Sequence, residues 1–345
     1  MLTVAIEKQL GNFLLKADFE TDDPITGLLG ASGCGKSLTL KCIAGLEQPD
    51  RGRIVLDGTI LFDSKAGICL PPQKRQVGYL FQSYALFPHM TVRQNVLCGM
   101  QKERDQGKRL DTLNQLSRLL RLEEVMDLKP CFLSGGQAQR TAIARILASS
   151  PRLLLLDEPF SALDSYLREQ LQLELKELLL SLNCQTVLVT HSRDEAFLLS
   201  SRLAVMEQGR ISGTAGVREL FDHPKNIAEA RLTGCKNIAE ARKSGPYTAE
   251  VPSWGVCLST DEPVPDDLRA VGIRAHSFDS NAFSNRFSVT LCSQAETPFE
   301  DLFLFRFQRQ SPDSAPLWWK LPKGHGQNFF PSALGVLPDQ VLLLI

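Results

Sequence analysis

The sequence predicts an α/β fold: a mainly parallel sheet with a helical subdomain over residues 1–222, then a small C-terminal β-domain. Three observations predict it. Short apolar runs of strand length alternate with helical stretches up to residue 222, as in strands joined by crossover helices. A glycine-rich G-x-x-x-x-G-K-S sits between one such run and one such helix. Composition shifts near residue 247: all three tryptophans follow it, and residues 248–345 carry 7 basic and 11 acidic residues against 31 and 28 before. The expected division is residues 1–222, a linker over 223–247 and the β-domain over 248–345.

Residues 4–6 and 13–19 read as strands, Asp23-Pro24 as a turn and residues 25–29 as a buried strand. Residues 37–44 are helical, and Gly45 stops them. Residues 53–56 and 59–62 flank Asp57-Gly58, a hairpin signal. Residues 77–81 form another strand, and 92–149 are mostly helical. Residues 153–156 are four leucines, a buried strand; in the helix that follows, Leu167, Leu171, Leu175, Leu178 and Leu182 recur at steps of four and three. Residues 186–190 and 203–206 close the series. Residues 287–291, 302–307, 317–321 and 341–345 suit the short strands of a small β-barrel. Between the two parts, KNIAEAR occurs at 225–231 and again at 236–242. Two copies are too few for a solenoid, and the echo reads as part of a helical linker.

With 43% hydrophobic residues, 22% charged residues and a net charge of −1, the chain has the balance of a soluble globular protein, with no sign of a nucleic-acid binder. Nine cysteines without a CxxC pair read as free thiols in a reducing compartment. No apolar run approaches the ~20 residues of a membrane span, and Glu7 and Lys8 stand where a signal peptide is apolar. A secreted disulfide scaffold and an integral membrane protein are excluded; attachment to a separate membrane protein is not.

Three motifs carry chemistry. Gly30, Ala31, Ser32, Gly33, Cys34, Gly35, Lys36 and Ser37 form the phosphate-loop pattern. Its glycines let backbone N–H groups curl round an anion, the helix start adds partial positive charge, Lys36 reaches phosphate and Ser37 ligates Mg²⁺. Asp157-Glu158-Pro159 ends the leucine strand, at the strand terminus where open α/β sheets bind ligands. There Asp157 joins the Mg²⁺ shell, and Glu158 orients and deprotonates an attacking water. Between them, Leu133 is followed by Ser134, Gly135, Gly136 and Gln137, paired glycines ahead of a helix over 139–148 with Ser134 as its cap.

A phosphate loop, LSGGQ and a carboxylate strand in this order resemble the nucleotide-binding subunits of ATP-binding-cassette (ABC) transporters. Gln82 matches that family's Q-loop, Ser161, Ala162, Leu163 and Asp164 its D-loop, and His191 its switch histidine. The resemblance implies a P-loop NTPase ABC cassette working as a head-to-tail homodimer. Each ATP would lie between one subunit's Lys36 loop and the other's residues 134–137, with Mg²⁺ met by Ser37 and Gln82, Asp157 near it and His191 on the γ-phosphate. Partners would be membrane permease subunits, reached through residues 84–92, and indirectly a solute-binding protein, at the cytoplasmic face of the membrane. The family's adenine-stacking aromatic falls by spacing on Leu10, with Phe13 three residues on in a strand that favours a core role. Chromosome and repair ATPases with LSGGQ separate their halves by long coiled coils, whereas Lys36 and Asp157 are 121 residues apart here without sustained heptads. Within importers, residues 67–82 (GICLPPQKRQVGYLFQ) look most like molybdate-importer ATPases, with sulfate, tungstate, sugar or a non-transport role as alternatives. The VGIR of residues 271–274, followed by His276, is similar to a strand motif of the importers' accessory β-domain, which can bind an oxyanion or serve as a structural module.

Overall fold

The computed structural model describes residues 1–101, 103–161, 165–182, 184–324 and 330–345, with the side chains of residues 165–167 left aside. The chain folds as two compact units, Met1–Val217 and Arg218–Ile345.

In the first unit, β1 (Leu2–Leu10), β2 (Phe13–Thr21) and β3 (Ile25–Gly30) precede α1 (Lys36–Ala44). Then come β4 (Arg51–Leu56), β5 (Thr59–Asp63), β6 (Ile68–Cys69), α2 (Pro72–Arg75) and β7 (Val77–Leu80). The helical subdomain holds α3 (Val92–Cys98), α4 (Gln106–Leu119) and α5 (Gly135–Leu147). The unit closes with β8 (Leu153–Asp157), α6 (Ser165–Ser181), β9 (Gln185–Thr190), α7 (Arg193–Leu199), β10 (Arg202–Glu207) and β11 (Arg210–Gly216). All eleven strands join one sheet in the order β6-β5-β4-β1-β2-β11-β10-β3-β9-β8-β7.

The sheet is mixed. It is parallel across β10-β3-β9-β8-β7 and antiparallel from β6 to β2. The hairpins dictate the second part: Asp57 and Gly58 take positive φ (45° and 74°), the two-residue turn that matches strand twist. In β8, alternation divides the leucines between two cores. Leu153 and Leu155 join Leu28, Leu40, Val187 and Val189 on one face. Leu154 and Leu156 join Ile143, Leu175 and Leu179 of the helices on the other. Of the expected leucine face on α6, Leu175 is buried, Leu171 and Leu178 are half-buried, and Leu167 is among the residues whose side chains are not described.

The second unit carries α8 (Val217–Asp222) from the boundary, α9 (Ile227–Leu232), β12 (Asn237–Glu240), β13 (Arg242–Gly245), β14 (Thr248–Val251) and β15 (Val256–Ser259). Then come β16 (Ala270–Ile273), β17 (Phe278–Asp279), β18 (Phe287–Glu296), β19 (Glu300–Phe307), β20 (Leu317–Pro322), β21 (Ala333–Val336) and β22 (Val341–Leu344). Three small sheets, β12-β16-β22, β13-β14-β15 and β17-β21-β18-β19-β20, enclose a core of Trp254, Phe278, Phe305, Phe307 and Trp319. The stretch expected as linker, residues 223–247, holds α9, β12 and β13. The second KNIAEAR is therefore not helical: its Asn237–Glu240 pairs with β16 as a strand.

Candidate functional site

The parallel register brings the expected site residues to one edge. Leu29 lies opposite Thr190, Val189 opposite Asp157, and Leu156 opposite Leu80. The C-terminal ends of β3, β9, β8 and β7 therefore present Gly30, His191, Glu158 and Gln82 in neighbouring positions, where α/β sheets place their ligands.

The loop from Gly30 to Ser37 turns on glycine. Gly33 and Gly35 have φ of 77° and 109°. A Cβ on Gly30 would meet the Met206 carbonyl oxygen at 2.3 Å, and one on Gly33 would meet nothing within 4 Å. Helix α1 starts from Gly35, which has no side chain to cap it, so among the described residues its first N–H groups are left without a cap. Lys36 is buried, and its Nζ donates to the carbonyl oxygens of Gly30 and Ala31 at 2.8 and 2.9 Å. Cys34 is buried next to it, and desolvation raises its thiol pKa. Phe13 is half-buried on β2, with its ring tip 3.1 Å from where a Cβ on Gly35 would stand, while Leu10 is exposed at the end of β1.

Asp157 is 8% exposed and both its oxygens are engaged: Ser37 Oγ donates to Oδ1 at 2.6 Å and Tyr79 Oη to Oδ2 at 2.7 Å. Burial first, and Asp157 second, raise the Tyr79 pKa, so the phenol keeps its proton. Glu158 sits at φ 46°, its N–H bonded to the Val189 carbonyl. Its Oε1 lies 3.2 Å from His191 Nδ1, on a histidine that is more than half exposed. The next carbonyl, Pro159, accepts from Tyr84 Oη and from Gln139 Nε2 of α5. Gln82 is exposed on the turn after β7.

Helix α5 starts at Gly135, four residues before the expected helix, so the paired glycines form its first turn instead of preceding it. A capping box explains the early start: Ser134 accepts from the Gln137 N–H, and the Gln137 side chain accepts from the Ser134 N–H. Gly135 is exposed and Gly136 buried beneath Leu171. Ala162, Leu163 and Asp164 lie outside the described residues, so the D-loop carboxylate has no described place.

Three side chains that hold the site's elements in place escaped the sequence reading. Tyr79 reaches Asp157 from the neighbouring strand. Arg75 is 2% exposed and donates to the carbonyls of Leu70, Cys42 and Ile43, capping the far end of α1. Glu195 is buried beneath the His191 segment and accepts from Thr190 Oγ1 at 2.5 Å and from Gln172 Nε2. For Tyr79 the local signal was an aromatic hydroxyl inside an apolar stretch; Arg75 and Glu195 stand among other polar and charged residues, which gave no signal. In the second unit, Arg274 of the VGIR stretch donates to the carbonyls of Thr233 and Phe221, which ties it to backbone.

A magnesium-bound nucleotide suits these residues. Ser37 and Asp157 are hard oxygen donors, and the open space over Gly33 beside an uncapped helix start is what phosphate needs. Fold and loop together define a nucleotide-binding protein of the P-loop class. The family model described as ABC transporter matches residues 19–161. The spermidine/putrescine import ATP-binding protein PotA of Haemophilus influenzae is 39% identical over 296 residues, 81% of this chain and 78% of that protein. The protein of the same name from Oleidesulfovibrio alaskensis is 44% identical over 223 residues, 63% of this chain and only 58% of that relative. The dimeric ATP-binding cassette MJ0796, solved in a post-hydrolysis state bound to ADP and Pi, superposes with a TM-score of 0.53 at 28% identity, over 63% of this chain and 99% of that one. The chain belongs to the ATP-binding proteins of ABC transporters: it is an ABC transporter ATPase. Among the described residues no helix is long and apolar enough to cross a membrane.

Proposed function

We propose that the chain is the ATPase subunit of a solute importer, acting on MgATP at the edge formed by Gly30–Ser37, Gln82, Asp157, Glu158 and His191. The observation that carries this is the pairing at the end of β8: Asp157 with Ser37 at 2.6 Å, and the next residue, Glu158, with His191 at 3.2 Å. One carboxylate faces the metal ligand and the adjacent one a histidine at the exposed rim. In this reading Lys36 and the loop N–H groups hold phosphate, and bound Mg²⁺ supplies neutralisation of phosphate charge. Gln82 and Asp157 support the metal, Glu158 takes the proton of the attacking water, and His191 aligns Glu158 and the terminal phosphate.

Ser134–Gln137 bond to one another and within their own helix. Their role as the second half of an ATP site belongs to a head-to-tail dimer; the dimeric state of the MJ0796 cassette supports dimerisation. Permease subunits would dock at residues 84–92 and hold the protein at the cytoplasmic face of the membrane. Residues 248–345 would serve as the accessory module. Glu158→Gln keeps the side chain's shape and removes the proton acceptor. We expect ATP binding to persist while turnover falls ~10²–10⁴-fold; turnover within threefold of wild type would overturn the assignment.

The cargo reading changes. The relatives named above import spermidine and putrescine, which favours a polyamine over the molybdate expected from sequence. Molybdate stays as a second reading only through the resemblance of residues 67–82. ATPase stimulation of the reconstituted importer by spermidine-loaded, but not molybdate-loaded, binding protein supports the first reading; the reverse result establishes the second.

A further inference from the structure

We propose that Tyr79 is a positioning residue for the metal site: its phenol fixes the Asp157 carboxylate, which in turn directs the Ser37 hydroxyl. The proposal rests on the reading of Ser37 and Asp157 given above. Strands β7 and β8 are parallel with Tyr79 opposite Leu155, so Asp157 stands two residues further along on the same face. At ~3.3 Å per residue that offset is about the reach of a tyrosine hydroxyl from its own backbone. The ring is held on the way: Tyr79 packs against the core that holds Leu153 and Leu155, and its centroid is 4.5 Å from that of Phe81.

Among the described residues each Asp157 oxygen has one donor, Ser37 on Oδ1 and Tyr79 on Oδ2. A carboxylate held at both oxygens cannot turn about its Cβ–Cγ bond, whereas one held at a single oxygen can, so the Tyr79 bond to Oδ2 keeps Oδ1 directed at Ser37. Ser37 then spends its only proton on Asp157, and both hydroxyl lone pairs are left for a cation. Without the phenol, the carboxylate turns to satisfy its freed oxygen and the Ser37 hydroxyl loses its orientation. The consequence is specific. Tyr79 makes no contribution to cradling phosphate, which falls to the Gly30–Lys36 loop; it acts only through the residue pair that meets the metal.

The test is equilibrium ATP binding to the full chain, titrated with Mg²⁺ and repeated in EDTA, for wild type, Tyr79→Phe and Tyr79→Met. Hydrogen bonds to charged groups carry roughly a tenfold to hundredfold effect. In both variants the Mg²⁺ concentration for half-maximal enhancement of binding should rise about tenfold, with metal-free ATP affinity within twofold of wild type. The methionine variant keeps the apolar bulk and preserves the test if the phenylalanine variant misfolds. An unchanged Mg²⁺ dependence in the variants overturns the proposal alone. So does an equal loss with and without metal, which marks a lesion of the fold. A wild-type chain that gains nothing from Mg²⁺ overturns the reading of Ser37 and Asp157 beneath it.

Discussion

The same seven residues, KNIAEAR, fold in two ways within this chain. At 225–231 they open helix α9; at 236–242 they supply strand β12. In the first copy, Asn226 caps the helix through the Glu229 N–H, and the Glu229 carboxylate accepts from the Lys225 N–H and from Asn226 Nδ2. In the second copy the identical Asn and Glu could form the same cap, and do not. Asn237 is instead 3% exposed, donates to the carbonyls of Ile273 and Trp318, and accepts from the Trp318 N–H. Its side chain stands in for a strand's backbone and ties β12 to β20. Local propensity offers a helix in both places, and the waiting edge of β16 decides the second.

If so, identical substitutions in the two copies should differ in size. The largest difference is expected at asparagine. Asn237→Ala removes the partner of three backbone groups, one buried and two part-buried, and should destabilise the second unit by about 3 kcal/mol. Asn226→Ala removes a cap, at about 1 kcal/mol. All three tryptophans lie in Arg218–Ile345, so urea unfolding followed by tryptophan fluorescence reads this unit selectively. Equal losses at the two positions would sink the account.

The glutamates form the second pair, with the order reversed. Glu229 is 4% exposed with its acceptors in use, whereas Glu240 is exposed on the strand. Glu229→Ala should cost about 2 kcal/mol through the unsatisfied donors it leaves. Glu240→Ala should stay within about 0.5 kcal/mol. The same urea midpoints decide it: a larger shift at Glu240 than at Glu229 contradicts the burial pattern.

The same contrast explains what was legible in the sequence. The loop Gly30–Ser37, LSGGQ and Asp157-Glu158 were readable because their chemistry is in the residue pattern itself, and the Asp57-Gly58 turn because its φ values demand those residues. The mixed sheet was not: β2 joins β11 and β3 joins β10 across nearly two hundred residues, and no local period records such pairings. Tyr79 was hidden for the same reason, since its partner is fixed by the register of β7 on β8. Helix α5 began early because the cap at Ser134 and Gln137 outweighs the poor propensity of two glycines. The second KNIAEAR failed as a helix through β16, which lies more than thirty residues away.

The smallest expected effect isolates the last ambiguity, whether the exit of α9 or the pull of β16 keeps the second copy extended. Gly234 has φ 97°; its N–H bonds to the Arg231 carbonyl, and the Cys235 N–H to that of Ala230. That is the pair of hydrogen bonds of a glycine-terminated helix, closing α9 at Gly234, three residues before Asn237. Gly234→Ala forces a side chain into this left-handed turn and should cost about 1 kcal/mol. If the exit alone separates the copies, the alanine should let helix run on into Lys236 and Asn237, and far-UV circular dichroism should gain helical signal. We expect no gain. Asn237 has its three hydrogen bonds to Ile273 and Trp318, and Ile238, Ala239 and Glu240 have their ladder on β16, none of which a longer helix could keep. A stability loss of about 1 kcal/mol at constant helix content therefore assigns the second copy to its strand partner, and a rise in helix content assigns it to Gly234.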